Sequence, residues 1–162
     1  MSLRRRSLVL VISIVAGLAA AGAAIWLVQR KHVPPISADD SRQVALGAAV
    51  YAARCAQCHG ANLEGQPNWR QRQANGRLPA PPYDAGGHTW HHPDEILFGI
   101  TKNGMAPYAP AGYASDMPAF AGVLTDAEIA AALAFIKSRW PADICGRQAH
   151  ISDQWGEQGV GP

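Results

Sequence analysis

Two cysteines and a histidine stand close together in the chain, in the order Cys55-Ala56-Gln57-Cys58-His59. Cysteines three residues apart lie on one side of a helical turn, so both sulfurs can reach the two vinyl-derived carbons on one edge of a porphyrin. His59 follows directly and can project over the ring face to bind the iron. The C-x-x-C-H spacing therefore predicts one covalently attached c-type haem, with thioether bonds from Cys55 and Cys58.

The C-x-x-C spacing also occurs in thioredoxin-like redox sites and in zinc sites, and the rest of the sequence argues against both. A redox pair should follow a strand in a βαβ pattern, which the flanking residues do not show. A zinc ribbon needs a second C-x-x-C pair, and the only other cysteine is Cys145. We interpret Cys145 as a passive residue, with pairing between molecules as the alternative.

Helical patterns flank this motif on both sides. Residues 41–54 carry apolar side chains at helical spacing, and Gly47 would let another helix cross closely, although a glycine can also be merely tolerated there. A shorter helix is predicted from His92-Pro93-Asp94-Glu95 onward, since proline suits the first helical position and acidic residues suit the first turn. Thr125-Asp126-Ala127-Glu128 is a capping box, which predicts a last helix over residues 126–138.

The motif, the helix before it and the segment Met117-Pro118-Ala119-Phe120 together resemble the class I, mitochondrial-type, c cytochromes over residues 38–140. The resemblance implies a small all-α fold around one haem, in which the first and last helices cross and bring Phe135 near Gly47. It also implies iron bound by the motif histidine and a distal methionine, and one-electron transfer as the function. Membrane-anchored mono-haem cytochromes of bacterial respiratory chains are the form that this sequence resembles most.

The distal methionine has to be chosen from three. Met1 is the initiator and lies on the wrong side of the motif. Met117 precedes Pro118, which fixes the backbone next to the sulfur, and the last helix begins shortly afterwards, as the family pattern requires. We therefore predict Met117 as the second axial ligand beside His59. Met105 is the alternative ligand, although a thioether is more often a flexible packing group.

Residues 60–90 and 105–116 are predicted to be loops, because they are rich in glycine, proline and polar residues and lack apolar periodicity. Three closely spaced histidines, His88, His91 and His92, lie where the first loop meets the following helix. We interpret them as packing or helix-capping residues near the haem propionates. A copper or zinc site, or a haem neighbour that titrates in acid, are the alternatives.

The first 32 residues have the composition of a membrane segment. Residues 7–28 contain no charge, and a helix of that length would span roughly 33 Å, enough for a hydrocarbon core of about 30 Å. A cleaved signal peptide is the alternative, but its apolar region of about 7–15 residues should end earlier. We predict that residues 1–32 form an uncleaved single-pass anchor that contacts the bilayer through residues 7–28. Residues 33–37 then form a linker that contains two prolines.

Charge is distributed unevenly along the chain. The first 32 residues hold five basic and no acidic residues, whereas the remaining 130 hold nine Lys or Arg against twelve Asp or Glu, a net charge of −3. Nucleic acid is therefore excluded as a partner, because phosphate binding needs clustered positive charge on the folded part.

We predict one cytochrome domain over residues 38–145 and a disordered tail over residues 146–162.

An iron bound by both His59 and Met117 has no open position for a substrate, which favours an electron carrier over an enzyme. Covalent haem attachment in bacteria, as the family implies, places the domain in the periplasm. The expected partners are membrane redox complexes or other cytochromes. Two alternatives stay open: an electron-entry subunit of a larger oxidase or dehydrogenase, and a peroxidase or gas sensor with an open sixth iron site.

Overall fold

The computed structural model describes residues 33–158, together with Ile12 and Gly17. The chain divides into two units, residues 1–32 and 33–162, and the description below concerns the second. Among the described residues, no helix is long and apolar enough to cross a membrane. The predicted anchor over residues 7–28 lies outside the described residues, apart from the two just named.

The part of the chain from residue 33 to residue 158 is helical, as predicted, and its only β pairing is an isolated bridge between Ala121 and Leu124. Its α-helices are α1 (Ser41–Arg54), α2 (Ala56–His59), α3 (Asp94–Asn103), α4 (Asp126–Lys137) and α5 (Ala142–Gln158). Single turns of 3₁₀-helix occur at Thr89–His91 and Ala106–Tyr108. The intervening residues 60–88 and 109–125 are loops and turns.

Helix α1 begins at an aspartate and runs directly into the haem motif. The Asp40 side chain accepts hydrogen bonds from the backbone N–H groups of Arg42 and Gln43, which satisfies donors that have no partner within the helix. The Gln43 side chain reaches back to the backbone of Pro35 and Ser37, so the segment before the helix is fixed to its first turn.

Helices α1 and α4 cross at Gly47, as the resemblance implied. A Cβ atom at this position would lie 1.9 Å from the backbone oxygen of Ala131 and 2.9 Å from Cβ of Phe135. Only a residue without a side chain therefore allows the two backbones to approach this closely. The ring of Tyr51, one turn further along α1, packs on the ring of Phe135 with 5.3 Å between ring centroids.

Helix α4 is the central element of the core. The predicted capping box is present: the Thr125 hydroxyl accepts from the Glu128 N–H, and the Glu128 carboxylate accepts from the Thr125 N–H. From Ile129 to Ile136 every residue of α4 is buried, and both α1 and α3 pack on it. The large buried side chains of the core are Tyr51, Leu63, Leu97, Phe98, Phe120, Ile129, Leu133, Phe135, Ile136 and Trp140.

The prediction of a disordered tail over residues 146–162 is wrong up to residue 158, because Ala142–Gln158 forms helix α5. Residues 159–162 lie outside the described residues. Gln148 is fully buried, and its amide nitrogen lies 2.7 Å from Asp94 Oδ1 and 3.2 Å from the backbone oxygen of His92. The Ser152 hydroxyl accepts from the Asp94 N–H at 3.0 Å. Polar contacts to the start of α3 thus hold α5 in place, and such long-range contacts leave no periodic apolar pattern in the sequence.

Candidate functional site

The C-x-x-C-H motif forms one tight helical turn at the end of α1. The backbone N–H groups of Cys58 and His59 both donate to the carbonyl oxygen of Cys55, at 3.1 and 2.9 Å. Cys55 is half-buried, Cys58 is exposed and neither cysteine is in a disulfide. Burial, followed by the nearby Cys58, raises the pKa of Cys55 to about 11, so this thiol stays protonated at neutral pH.

His59 is buried, with 7% of its surface exposed. Its Nδ1 lies 2.9 Å from the carbonyl oxygen of Pro81, which can only accept a hydrogen bond. Nδ1 therefore carries the proton and donates it to Pro81, and Nε2 carries the lone pair. Burial lowers the pKa of His59 despite the opposing effect of this hydrogen bond, so the ring is neutral at pH 7. A neutral imidazole with a free Nε2 is the form that binds a metal ion.

The ring of Tyr83 stacks on the imidazole of His59, with 3.8 Å between the ring centroids and an angle of 12° between the planes. Burial raises the pKa of Tyr83, so its phenol stays protonated. No sequence pattern predicts this contact. Tyr83 stands 24 positions after His59 in a loop without a repeating pattern, so nothing in the sequence indicated it.

The loop that follows the motif folds back against His59. The Gly65 N–H donates to the His59 carbonyl at 2.8 Å, and the Tyr83 N–H donates to the Leu63 carbonyl at 2.8 Å. Gly65 has φ +68°, and a Cβ atom there would lie 2.4 Å from the nitrogen of Pro82. The segments 63–65 and 81–83 thus lie against each other, which brings Pro81 and Tyr83 to the imidazole.

Tyr51 connects this turn to the helix crossing. Its hydroxyl donates to the carbonyl of Gly60 at 2.8 Å, and its ring contacts Phe135 on α4. Burial is the largest reason why the pKa of Tyr51 is raised, with contributions from the neighbouring Cys55 and Glu64. The phenol therefore remains a hydrogen-bond donor, and the end of the motif is fixed to the core.

Met117 is half-buried on the loop between α3 and α4. Its N–H donates to the Ser115 hydroxyl at 3.1 Å. After it, the Phe120 N–H donates to the carbonyl of Thr101 at the end of α3, and Phe120 itself is buried. Met105, the alternative ligand, is half-buried, and its carbonyl accepts from the Tyr108 N–H as the N-cap of the 3₁₀ turn Ala106–Tyr108.

An arginine-bearing loop, residues 66–80, connects the surroundings of Met117 to those of His59. Its ends are joined by hydrogen bonds between Gln66 and Ala80, directly before Pro81. From this loop the Arg77 side chain pairs with Asp116, the residue before Met117. The Arg72 guanidinium lies 5.6 Å from the ring centroid of Tyr113. Sequence reasoning had not predicted these contacts.

The three histidines at the end of the long loop pack among aromatic side chains. The His88 ring is parallel to the Trp69 ring, at 5.6 Å between centroids, and meets His92 edge-on at 5.5 Å. His91 stacks on Trp90. Within the part of the chain that the structure describes, no three His, Cys, Asp or Glu side chains are grouped as a metal site requires. The geometry therefore favours the packing interpretation over a copper or zinc site.

Cys145 is half-buried in α5, and its sulfur lies 3.4 Å from the carbonyl oxygen of Lys137. Burial is the main reason why its pKa is raised, which leaves the protonated thiol as the stable form. This environment is consistent with a passive residue.

The residues around the motif fit a covalently attached haem. Two unpaired thiols occupy one helical turn, and the next residue is a neutral imidazole whose other nitrogen is already bound to a backbone carbonyl. A second-sphere hydrogen bond of this kind is nearly always found on histidines that bind metals. The donor set therefore suits haem iron on the Nε2 side of His59.

The family model described as cytochrome c matches residues 44–140, which is more than half of the 162-residue chain. The chain belongs to the cytochrome c family. This cytochrome is of the class I c type and binds a covalently attached haem c with iron. It is an electron-transfer protein. No curated protein and no solved structure shows significant similarity to it.

Proposed function

We propose that this cytochrome is a one-electron carrier whose haem is bonded to Cys55 and Cys58 and whose iron is bound by His59 and Met117. The observation that supports the proposal most directly is the state of His59. It is buried and neutral, and its Nδ1–H is held by Pro81. The lone pair on Nε2 is therefore free for iron, next to two thiols at the spacing that haem attachment needs.

Met117 is proposed as the second ligand because its segment is fixed on both sides. Asp116 pairs with Arg77 before it, and the backbone of Phe120 is bonded to the end of α3 after it. A thioether ligand favours the ferrous state and raises the reduction potential. If His59 and Met117 both held the iron, no coordination position would remain for a substrate, and the protein would transfer electrons rather than catalyse a reaction on the iron.

When bound, the haem supplies a centre that gains and loses one electron without any bond being made or broken. The chain keeps the surroundings of that centre constant. Pro81 holds the proton of Nδ1 on His59 in either redox state, and the hydrogen bond from Tyr51 to Gly60 fixes the end of the motif to the helix crossing. Little rearrangement of the protein is then needed for each transfer.

We further propose that residues 1–32 anchor the cytochrome in a bacterial cytoplasmic membrane, with the haem domain in the periplasm. Support comes from the uncharged stretch over residues 7–28 and the basic residues on both sides of it. A tethered carrier exchanges electrons most readily with other membrane-bound redox complexes or cytochromes. The small, weak interfaces that allow fast exchange of partners suit this role.

Carbon monoxide tests the proposed iron coordination. The purified holoprotein is reduced with dithionite, carbon monoxide is added, and the Soret band is recorded. We expect no spectral change, because Met117 fills the sixth position. A prompt shift of the Soret band would show an open or weakly bound site, and the enzyme or sensor interpretation would replace the carrier.

Membrane fractionation tests the proposed location. The full-length protein should remain with the membranes after carbonate washing, and a variant that lacks residues 7–28 should not. Protease added to spheroplasts should digest the haem domain of the full-length protein. Purification in mild detergent then separates a carrier from a subunit, because a subunit would co-purify with a larger complex in a fixed ratio.

A further inference from the structure

Tyr83 makes the closest ring contact on the proposed proximal ligand. Its ring centroid is 3.8 Å from that of His59, and the two planes are 12° apart. Aromatic pairs in proteins usually have centroids about 4.5–7 Å apart, so this contact is a close, nearly parallel stack. The phenol ring covers one face of the imidazole.

The position of Tyr83 is fixed through its backbone. Its N–H donates to the Leu63 carbonyl at 2.8 Å, and its carbonyl accepts from the indole N–H of Trp140 at 2.7 Å. Leu63 and Trp140 are themselves buried, with 2% and 6% of their surfaces exposed. The backbone of Tyr83 therefore cannot move away from His59 without disturbing the core, and the phenol ring starts from a fixed position beside the imidazole.

Pro81 and Tyr83 restrain different motions of the same imidazole. The hydrogen bond from Nδ1 to Pro81 fixes the direction of the N–H, but it leaves the ring free to rotate about that bond. The stacked phenol restricts this rotation, because turning the imidazole would drive its edge into the face of Tyr83. Together the two residues fix the plane of His59 and the direction of its Nε2 lone pair.

The stack also has an electrostatic consequence. The face of a phenol ring is electron-rich and stabilises positive charge placed against it. The imidazole of an axial histidine carries more positive charge when the iron is ferric than when it is ferrous. A phenol held on the imidazole therefore favours the oxidised state.

We propose that Tyr83 is a positioning residue that sets the orientation of the proximal imidazole and lowers the reduction potential of the haem. This inference rests on the proposed function, since it requires His59 to be an iron ligand. Tyr83 acts through His59 and does not itself bind the iron.

A fluorinated series at position 83 tests the electrostatic part without changing the size of the ring greatly. Tyr83→Phe keeps the stack, and incorporation of trifluoro- and pentafluorophenylalanine makes the ring face progressively electron-poor. We expect the midpoint potential, measured by spectroelectrochemistry, to rise stepwise from phenylalanine to pentafluorophenylalanine. A potential that stays constant along the series would overturn the proposal.

Tyr83→Leu tests the positioning part. The spread of the haem methyl shifts in the proton NMR spectrum of the ferric protein depends on the orientation of the imidazole plane. We expect Tyr83→Leu to change this spread and to raise the potential, whereas Tyr83→Phe retains the wild-type spread. Phe135→Leu is the matched control, because Phe135 is a buried aromatic whose ring packs at a tilt against Tyr51. Wild-type shifts in Tyr83→Leu would contradict the positioning role.

Carbon monoxide separates a failure of this inference from a failure of the proposed function. If the reduced wild-type protein resists carbon monoxide and none of the position 83 variants differs in potential or in methyl shifts, only the role of Tyr83 is wrong. If the reduced wild-type protein binds carbon monoxide promptly, the proposed axial ligation itself is wrong.

Discussion

The two sides of the proposed haem site are held in very different ways. On the proximal side, His59 is buried and is contacted by a carbonyl, an aromatic ring and the backbone of Gly65, all within one folded-back loop. On the distal side, Met117 is half-buried on a loop fixed by a partly exposed ion pair and a few backbone hydrogen bonds. Under the proposed ligation, the comparison predicts that the densely packed histidine stays in place and that loss of the methionine is what would open the iron.

The largest effect on stability is expected from a substitution at the crossing of α1 and α4, which supports the histidine side of the site. Gly47→Val would place side-chain atoms within the backbone of Ala131, since even a Cβ atom would lie 1.9 Å from its oxygen. We expect a loss of more than about 4 kcal/mol in the free energy of unfolding, enough to prevent accumulation of the holoprotein. Haem-stained gels and thermal melts measure this.

Gly146→Ala is the matched control for this substitution. Gly146 lies in helix α5 and has open space around its Cβ position. Alanine should be neutral or stabilising there by up to about 1 kcal/mol, because alanine favours a helix over glycine. Wild-type yield and stability for Gly47→Val would show that the crossing does not support the site.

The next effect concerns the methionine side alone. Met117→Ala should allow the reduced protein to bind carbon monoxide, seen as a prompt shift of the Soret band. It should also lower the midpoint potential, because thioether ligation raises it. Met105→Ala serves as the control and should resist carbon monoxide as the wild type does. If Met105→Ala allowed carbon monoxide to bind and Met117→Ala did not, Met105 rather than Met117 would be the iron ligand.

The haem motif and the loop contacts around it differ in how far the sequence could predict them. The motif is predictable because its chemistry lies within five consecutive residues, and the cap of α4 is equally local. The loop contacts are different. Pro81 and Tyr83 reach His59 only because residues 60–83 fold back, and no periodic pattern encodes that path.

Helix α5 is a second example of structure that local sequence patterns did not predict. Residues 146–162 contain glycines and polar residues, a composition that predicts a disordered tail. Helix α5 nevertheless forms: Ile144 and Cys145 pack against the core, and Gln148 and Ser152 bond to the start of α3, more than 50 positions earlier in the chain. Local composition cannot report stabilisation that comes from so distant a segment.

A smaller effect is expected from the ion pair beside Met117. Arg77 and Asp116 are partly exposed, with 42% and 57% of their side-chain surfaces accessible, so their pair is worth only about 0.2–1 kcal/mol. Asp116→Asn should therefore raise the fraction of molecules with a dissociated Met117 about 1.4- to 5-fold. Stopped-flow binding of carbon monoxide at low salt measures that fraction.

Lys102→Gln is the control for Asp116→Asn, since it removes a comparable ion pair with Asp126 that does not involve the residue next to Met117. Equal carbon monoxide rates for both variants would mean that the Arg77–Asp116 pair does not hold the methionine loop. The distal side would then be fixed by its backbone hydrogen bonds alone.

The smallest effect tests whether the dense packing on the histidine side extends to His88 and His92. Burial is the main reason why the pKa of each is lowered. Neighbouring positive charge adds to it, from His91 and Arg70 on His88 and from His88 and His91 on His92. In the unfolded chain both titrate near their ordinary value of about 6.5. The unfolded state therefore binds more protons below that pH, so stability should decrease as the pH falls through about 6.5 and level off below the folded-state pKa.

The double variant His88→Asn, His92→Asn isolates this contribution. Its melting temperature should decrease less than that of the wild type between about pH 7.5 and pH 5.5, because two groups that favour the unfolded state on protonation are absent. His150→Asn on helix α5 keeps both contacts and serves as the control. An identical pH dependence in the double variant and the wild type would mean that the burial of these two histidines does not contribute to the pH dependence of stability.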